Sequence, residues 1–215
     1  MAVLRMKKIS LIAITVFLVL GSCIGVAAES NGDYILIRPS QPALDKKDQV
    51  EVVEIFYYGC IHCYHYEPHL LKWLQHKPGT AVFHRIPVVF NQAQVPLAKA
   101  FYTAQKLGVL DKIHEQLFDA IHKDRRNIFD DDAIRAFFIE QGINGADFDR
   151  AYNSMEVNIK VKQAEDMVRK YHISGVPSVV INGKYLTGPS YTGSYDKLET
   201  VMNSLIAKES GGSQG

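Results

Sequence analysis

Val50-Glu51-Val52-Val53-Glu54-Ile55-Phe56-Tyr57-Tyr58 is a run of β-branched, aromatic and acidic residues, and Gly59-Cys60-Ile61-His62-Cys63 follows it at once. Apart from its two acids the run has the near-continuous apolarity of a strand buried on both faces. Gly59 ends it. From Cys60 to His76 the pattern changes: Cys63, Tyr66, Leu70, Leu71 and Leu74 recur at helical spacing. Pro68 lies inside that helix and is expected to kink it, because proline cannot donate to the preceding turn. A Cys-x-x-Cys pair therefore sits where a central strand becomes a helix.

Outward from this junction the chain keeps an order. Residues 29–49 form a polar lead-in containing Pro39 and Pro42. Beyond Pro78-Gly79, Ala81 to Phe90 reads as a second strand. A long helical stretch follows, with apolar stripes at Leu97, Phe101, Ala104 and Leu107, and at Ile113, Leu117 and Ile121. Asp130 or Asp131 can cap a further helix bearing Ile134, Phe137 and Phe138, which Gly142 can end. Asn144 can cap a short helix with Phe148 and Tyr152. Val157, Val161, Ala164, Val168 and Tyr171 mark another. Strand character returns at Ser178 to Ile181; Asn182-Gly183 then suits a type I′ turn into Lys184 to Leu186. Ser194 can cap a last helix carrying Leu198, Val201 and Leu205, and a polar tail runs from Lys208 to Gly215. The sum is an α/β fold with an all-helical block inserted into it.

The pair itself has a physical logic. The first turn of a helix carries N–H groups without intrahelical partners, and its dipole end is positive. A thiolate at Cys60 is stabilised there and its pKa falls, with His62 adding to the effect. Cys63, one turn further in, is the deeper partner. Stabilising the Cys60 thiolate stabilises the reduced form and makes the disulfide oxidising. A structural disulfide over so small a loop constrains the unfolded chain very little. A metal centre is a rival, since His62, His65 and His69 lie close by, but no second cysteine pair completes a closed zinc site. The reading is redox chemistry with no metal and no cofactor.

The 215 residues have an ordinary globular composition, 47% hydrophobic and 22% charged, and a net charge of +1 that gives no case for nucleic acid. The N-terminus is distinctive. Arg5, Lys7 and Lys8 precede an apolar run from Ile9 to Leu20, and Val26-Ala27-Ala28 resembles a signal-peptidase site, so residues 1–28 read as an export signal. The alternative is a lipoprotein signal over 1–22, ending at Leu20-Gly21-Ser22-Cys23 and leaving Cys23 lipidated. With the longer signal removed, Cys60 and Cys63 are the only cysteines left.

Phe56-Tyr57-Tyr58-Gly59-Cys60-Ile61-His62-Cys63-Tyr64 resembles the active-site stretch of the DsbA family of bacterial disulfide-forming oxidoreductases. Pro68, Gly175-Val176-Pro177 and the helical block fit the same family. The resemblance implies a thioredoxin-like fold divided as 29–95 and 168–209, with an inserted helical domain at 96–167 and a flexible tail at 210–215. It implies a cis peptide before Pro177, where the sequence alone favours trans, with the Val176 backbone exposed for pairing with substrate. It also implies that Glu54 is a semi-buried acid relaying a proton at Cys63; the plainer reading of Glu54 is an exposed residue or an ion pair with Arg85. Ile61 departs from the proline common in the family.

The function this implies is donation of the Cys60–Cys63 disulfide, in the periplasm, to unfolded exported proteins with cysteine pairs, and reoxidation by a DsbB-like membrane oxidase. The chain is expected to be a monomer. The same fold also serves isomerases and reductases, although isomerases of this kind carry an additional dimerisation region. A metal-binding or chaperone-like protein is the reading outside catalysis.

Overall fold

The computed structural model describes residues 32–43 and 49–211. The stretch expected to be an export signal, Cys23 and the last four residues lie outside them. Five strands form one mixed sheet in the order β1 (Ile35–Leu36), β5 (Tyr185–Thr187), β4 (Ser178–Ile181), β2 (Val50–Phe56) and β3 (Ala81–Pro87). β2 and β3 run parallel; every other neighbouring pair is antiparallel. All seven residues of β2 are buried, as its apolar run requires of a strand with neighbours on both sides. It ends at Phe56, two residues before the expected Tyr58, and β3 ends at Pro87 rather than Phe90.

Side chains alternate across the sheet and divide the core. Val50, Val52, Val179 and Ile181 pack on one face with Tyr66, Leu70 and Trp73 of α1 (Ile61–His76) and with Leu198, Met202 and Leu205 of α8 (Tyr195–Gly211). Val53, Ile55, Val180 and Leu186 pack on the other face against the helical block. Each large apolar side chain buried in these layers contributes about 1.5–3 kcal/mol by leaving water. The stripe on α1 differs from expectation: Leu71 is exposed and Leu74 half-buried, and Trp73 and Glu67 are buried instead. Pro68 lies within α1, which runs as one helix from Ile61 to His76.

The block between β3 and β4 holds α2 (Val95–Lys106), α3 (Leu110–His122), α4 (Asp131–Glu140), α5 (Gly145–Tyr152) and α6 (Met155–Lys170). Three of these helices carry side-chain caps, two of them at residues the sequence offers for the role. Asp130 accepts from the Ala133 N–H at 2.8 Å, Asn144 from Ala146 at 2.9 Å, and Ser154 from Val157 at 3.3 Å. Gly142, at φ 83°, returns its N–H to the Ile139 carbonyl and closes α4. α6 runs to Lys170, so the expected boundary at 167 falls inside a helix. Asn182 and Gly183 both have positive φ, and Lys184 N–H bonds to the Ile181 carbonyl at 3.0 Å, which is the type I′ geometry. Ser194 Oγ accepts from the Lys197 N–H at 3.2 Å at the start of α8. That helix extends to Gly211, through residues expected to belong to the frayed tail. β1 and the short α7 (Pro189–Thr192) have no counterpart in the sequence reading.

Candidate active site

α1 begins immediately after Cys60, which occupies the N-cap with extended backbone (φ −92°, ψ 114°). That position is usually filled by an oxygen-bearing side chain accepting from the second and third N–H groups of the helix. Here a sulfur stands in its place. As a neutral thiol it makes no capping bond; once ionised it accepts from the backbone N–H groups of His62 and Cys63. The Cys63 thiol bonding to that sulfur is the largest cause of its acidity. The two N–H groups and the charge of exposed His62 act in the same direction, against partial burial. Together they lower Cys60 to about 6. The sequence reading credits the helix end and His62; the structure puts the partner sulfur ahead of both.

Cys63 has the opposite environment. It is fully buried, and burial, the facing Cys60 sulfur and the Glu54 charge all push its pKa far upward. Both cysteines are free thiols. One sulfur is easily ionised and partly exposed; the other is neutral and enclosed.

The loop facing the pair carries a cis peptide between Val176 and Pro177. Cys60 Sγ lies 3.5 Å from the Val176 carbonyl oxygen, so the backbone implied by the resemblance stands against the reactive sulfur. Ser178 Oγ donates to the Gly175 carbonyl at 2.7 Å and tightens the loop. Gly188 lies directly behind it. A Cβ there would fall 2.9 Å from the Pro177 carbonyl oxygen, and only glycine permits so close an approach.

Beneath the pair runs a buried polar chain, most of which the sequence reading missed. Glu54 accepts from Arg85 Nε at 2.9 Å, and Arg85 Nη2 donates to Glu67 at 2.5 Å. Glu54 is buried and paired with Arg85 rather than exposed, and its charge acts on Cys63. Burial outweighs the guanidinium and lifts Glu54 to about 7. Burial also raises Glu67, but His114 and Arg85 outweigh it and hold Glu67 below the ordinary carboxylate value. His114 Nε2 faces Glu67 Oε2 at 3.6 Å, and the Tyr58 hydroxyl meets His114 Nδ1 at 2.8 Å. α3 grips Tyr58 a second time, because His122 Nε2 donates to its carbonyl oxygen at 2.7 Å. Tyr64 stacks on His122 and donates to Asp119 at 2.9 Å. One signal for Glu67 was available in the sequence: an acid four residues after Cys63 falls inside the apolar stripe of α1 and demands a partner.

A thioredoxin-like sheet interrupted by helices, with an activated sulfur at a helix entrance and a buried partner one turn away, defines a thiol–disulfide oxidoreductase. Within that class the chain belongs to the DSBA-like thioredoxin domain family, whose profile matches residues 80–200. It is 36% identical over 198 residues to a protein of Burkholderia cepacia named thiol:disulfide interchange protein DsbA, across 89% of this chain and 93% of that one. A protein of the same name from Pseudomonas syringae is 33% identical over 202 residues, across 91% and 94% of the two chains. The crystal structure of Pseudomonas aeruginosa DsbA superposes with a TM-score of 0.80 at 28% identity, covering 85% of this chain and 95% of that one.

Proposed function

We propose that the protein donates its Cys60–Cys63 disulfide to newly exported proteins in the periplasm. The observation that carries this reading is the contrast between the two sulfurs: Cys60 is accessible and acidic, Cys63 buried and neutral. A substrate thiolate attacks Cys60 Sγ, forming a mixed disulfide and expelling Cys63 as a thiolate, which takes up a proton. A second substrate thiolate attacks the substrate sulfur, forming the product disulfide and releasing Cys60 as a thiolate held by the helix entrance. The substrate loses two electrons and the enzyme gains them. A DsbB-like membrane oxidase then removes the two electrons and restores the pair.

The surroundings support binding of unfolded chains. Ile61 and Phe129 are exposed beside Cys60, with the Phe129 ring packed over Gly59. A groove of about 470 Å³ is lined by His69, Pro189 and Tyr195, and Tyr195 lies within electrostatic range of the cysteine pair. The Val176 carbonyl offers backbone pairing to an extended segment, with cis Pro177 shaping the loop. Glu54 fits the role of proton donor to the departing Cys63 sulfur. The helical block, which we assign as a domain between β3 and β4, supplies the α3 contacts to Tyr58 and Tyr64.

Oxidative refolding tests the reading. A reduced protein that needs disulfides for activity, mixed with stoichiometric oxidised enzyme and no other oxidant, should regain activity as the enzyme becomes reduced. A reduced substrate that stays reduced while the enzyme keeps its disulfide would overturn it.

A further inference from the structure

Arg85 is one guanidinium held between two buried carboxylates, Glu54 through Nε and Glu67 through Nη2. Two largely buried negative charges against one positive favour uptake of one proton. Either carboxyl group could hold it, and the choice decides whether it sits beside Cys63 or a helix turn away. The guanidinium touches both and does not choose between them.

His114 breaks the balance. Glu67 Oε2 and His114 Nε2 are both buried, have no hydrogen-bond partner among the described residues, and face each other at 3.6 Å. A shift of a few tenths of an ångström joins them. The two neighbours together select the tautomer. A bare Nε2 lone pair would face the Glu67 carboxylate at 3.6 Å, so the favoured imidazole carries its hydrogen on Nε2 and leaves Nδ1 to accept from the Tyr58 hydroxyl at 2.8 Å. Burial keeps this imidazole neutral, so it acts as a donor rather than as a second cation. A cavity of about 250 Å³ between α1 and α3, lined by Glu67, Arg85, Asp111, His114 and Glu115, gives the cluster contact with solvent. The other ionisable groups facing it are Cys63, Tyr58 and Tyr66.

We propose that His114, supplied by the helical block, is a positioning residue for disulfide exchange: by presenting Nε2–H to Glu67 it keeps Glu67 as the carboxylate and places the shared proton on Glu54, beside Cys63. This rests on the reading that Glu54 exchanges a proton with Cys63. When the disulfide is donated, the proton passes from the Glu54 carboxyl to the departing Cys63 thiolate, and Glu54 becomes the carboxylate facing Arg85. Reoxidation returns it, and the cavity lets the cluster equilibrate with water.

Carboxyl carbon NMR of the full-length reduced protein, assigned with Glu54→Gln and Glu67→Gln, tests the placement alongside the pH profile of single-turnover reduction by glutathione. In the wild type Glu54 titrates near 7. In His114→Phe the proton moves to Glu67, the protonated fraction of Glu54 at neutral pH falls about tenfold, and the inflection of the rate profile near pH 7 is lost. His114→Gln retains the wild-type titration, because an amide both donates to Glu67 and accepts from Tyr58. Tyr58→Phe, which frees the imidazole to carry its hydrogen on either nitrogen, moves Glu54 in the same direction by less and serves if His114→Phe does not fold. Coincident Glu54 titrations in the wild type and His114→Phe, or a His114→Gln curve displaced like that of His114→Phe, overturn the proposal. A Glu54→Gln profile identical to wild type instead removes the underlying reading of Glu54, and the proposal with it.

Discussion

Cys60 and Cys63 are separated by two residues and share a helix, yet their surroundings are opposed. Cys60 stands at the helix entrance, beside solvent and the Val176 carbonyl, with N–H groups and a neighbouring thiol turned toward it. Cys63 lies inside the first turn, enclosed by apolar side chains and above a carboxylate. The lesson is that reactivity is set by which end of one turn a sulfur occupies. A helix stabilises charge at its entrance, and its buried face resists it.

The most severe way to break this contrast is to remove one sulfur at a time. Cys60→Ser should lower disulfide transfer by about a thousandfold or more in the refolding assay, because the attacked atom is gone. Cys63→Ala should leave attachment intact and accumulate mixed disulfides, seen as a mass increase that dithiothreitol reverses. Equal loss without trapped adducts in both variants would erase the division of roles.

Titration sharpens the comparison next. Thiolate absorbance of the reduced protein should show one midpoint near 6, from Cys60, and no second ionisation from Cys63 below pH 9. The sign for stability follows. The folded-state value of Cys60 lies below its ordinary 9.0, so its stabilisation of the reduced form is fully present above 9 and is lost as pH falls through about 6. Glu54 runs the other way. Its folded-state value is raised from 4.5, so its contribution is present below 4.5 and is lost as pH rises through about 7. Thermal unfolding of the reduced protein across this range should lose the first slope in Cys60→Ser and the second in Glu54→Gln.

Smaller effects probe the flanks. Gly188→Ala forces a methyl group against the Pro177 carbonyl and should weaken substrate capture several-fold, read as a rise in KM with the Cys60 titration unmoved. His62→Ala should raise the Cys60 midpoint by less than about one pH unit, since its charge is the weakest of the influences acting on that sulfur. A shift as large as the whole depression would transfer the credit from the Cys63 thiol and the helix entrance to the imidazole.

Much of this was legible before any coordinates. The central strand, the strand-to-helix junction, the capping residues Asp130, Asn144 and Ser194, and the Asn182-Gly183 turn all carry local signals that tertiary packing reinforces. β1 was not legible, because two residues on a sheet edge have no periodicity to read. The buried chain was only partly so. An ion pair of Glu54 with Arg85 was one of the alternatives the sequence offered, and the spacing of Glu67 on α1 signals only that it is buried; that Glu67 and His114 join the pair follows only when α1 and α3 are folded against the sheet. Ranking the influences on Cys60 likewise needed the position of the Cys63 sulfur.

The edge strand carries a consequence for assembly. Ile35 pairs with Leu186, and the Thr187 hydroxyl bonds to the Asp33 carbonyl, so the beginning of the described chain is stitched to a hairpin near its end. A polypeptide emerging N-terminus first makes β1 early and must hold it unpartnered until the hairpin arrives, across almost the whole length of the molecule. The long sequence separation of Ile35 and Leu186 makes that seam an entropically costly loop closure. Until it closes, the outer rim of β5 lies open to any stray strand, and those two residues act as a latch that shuts it.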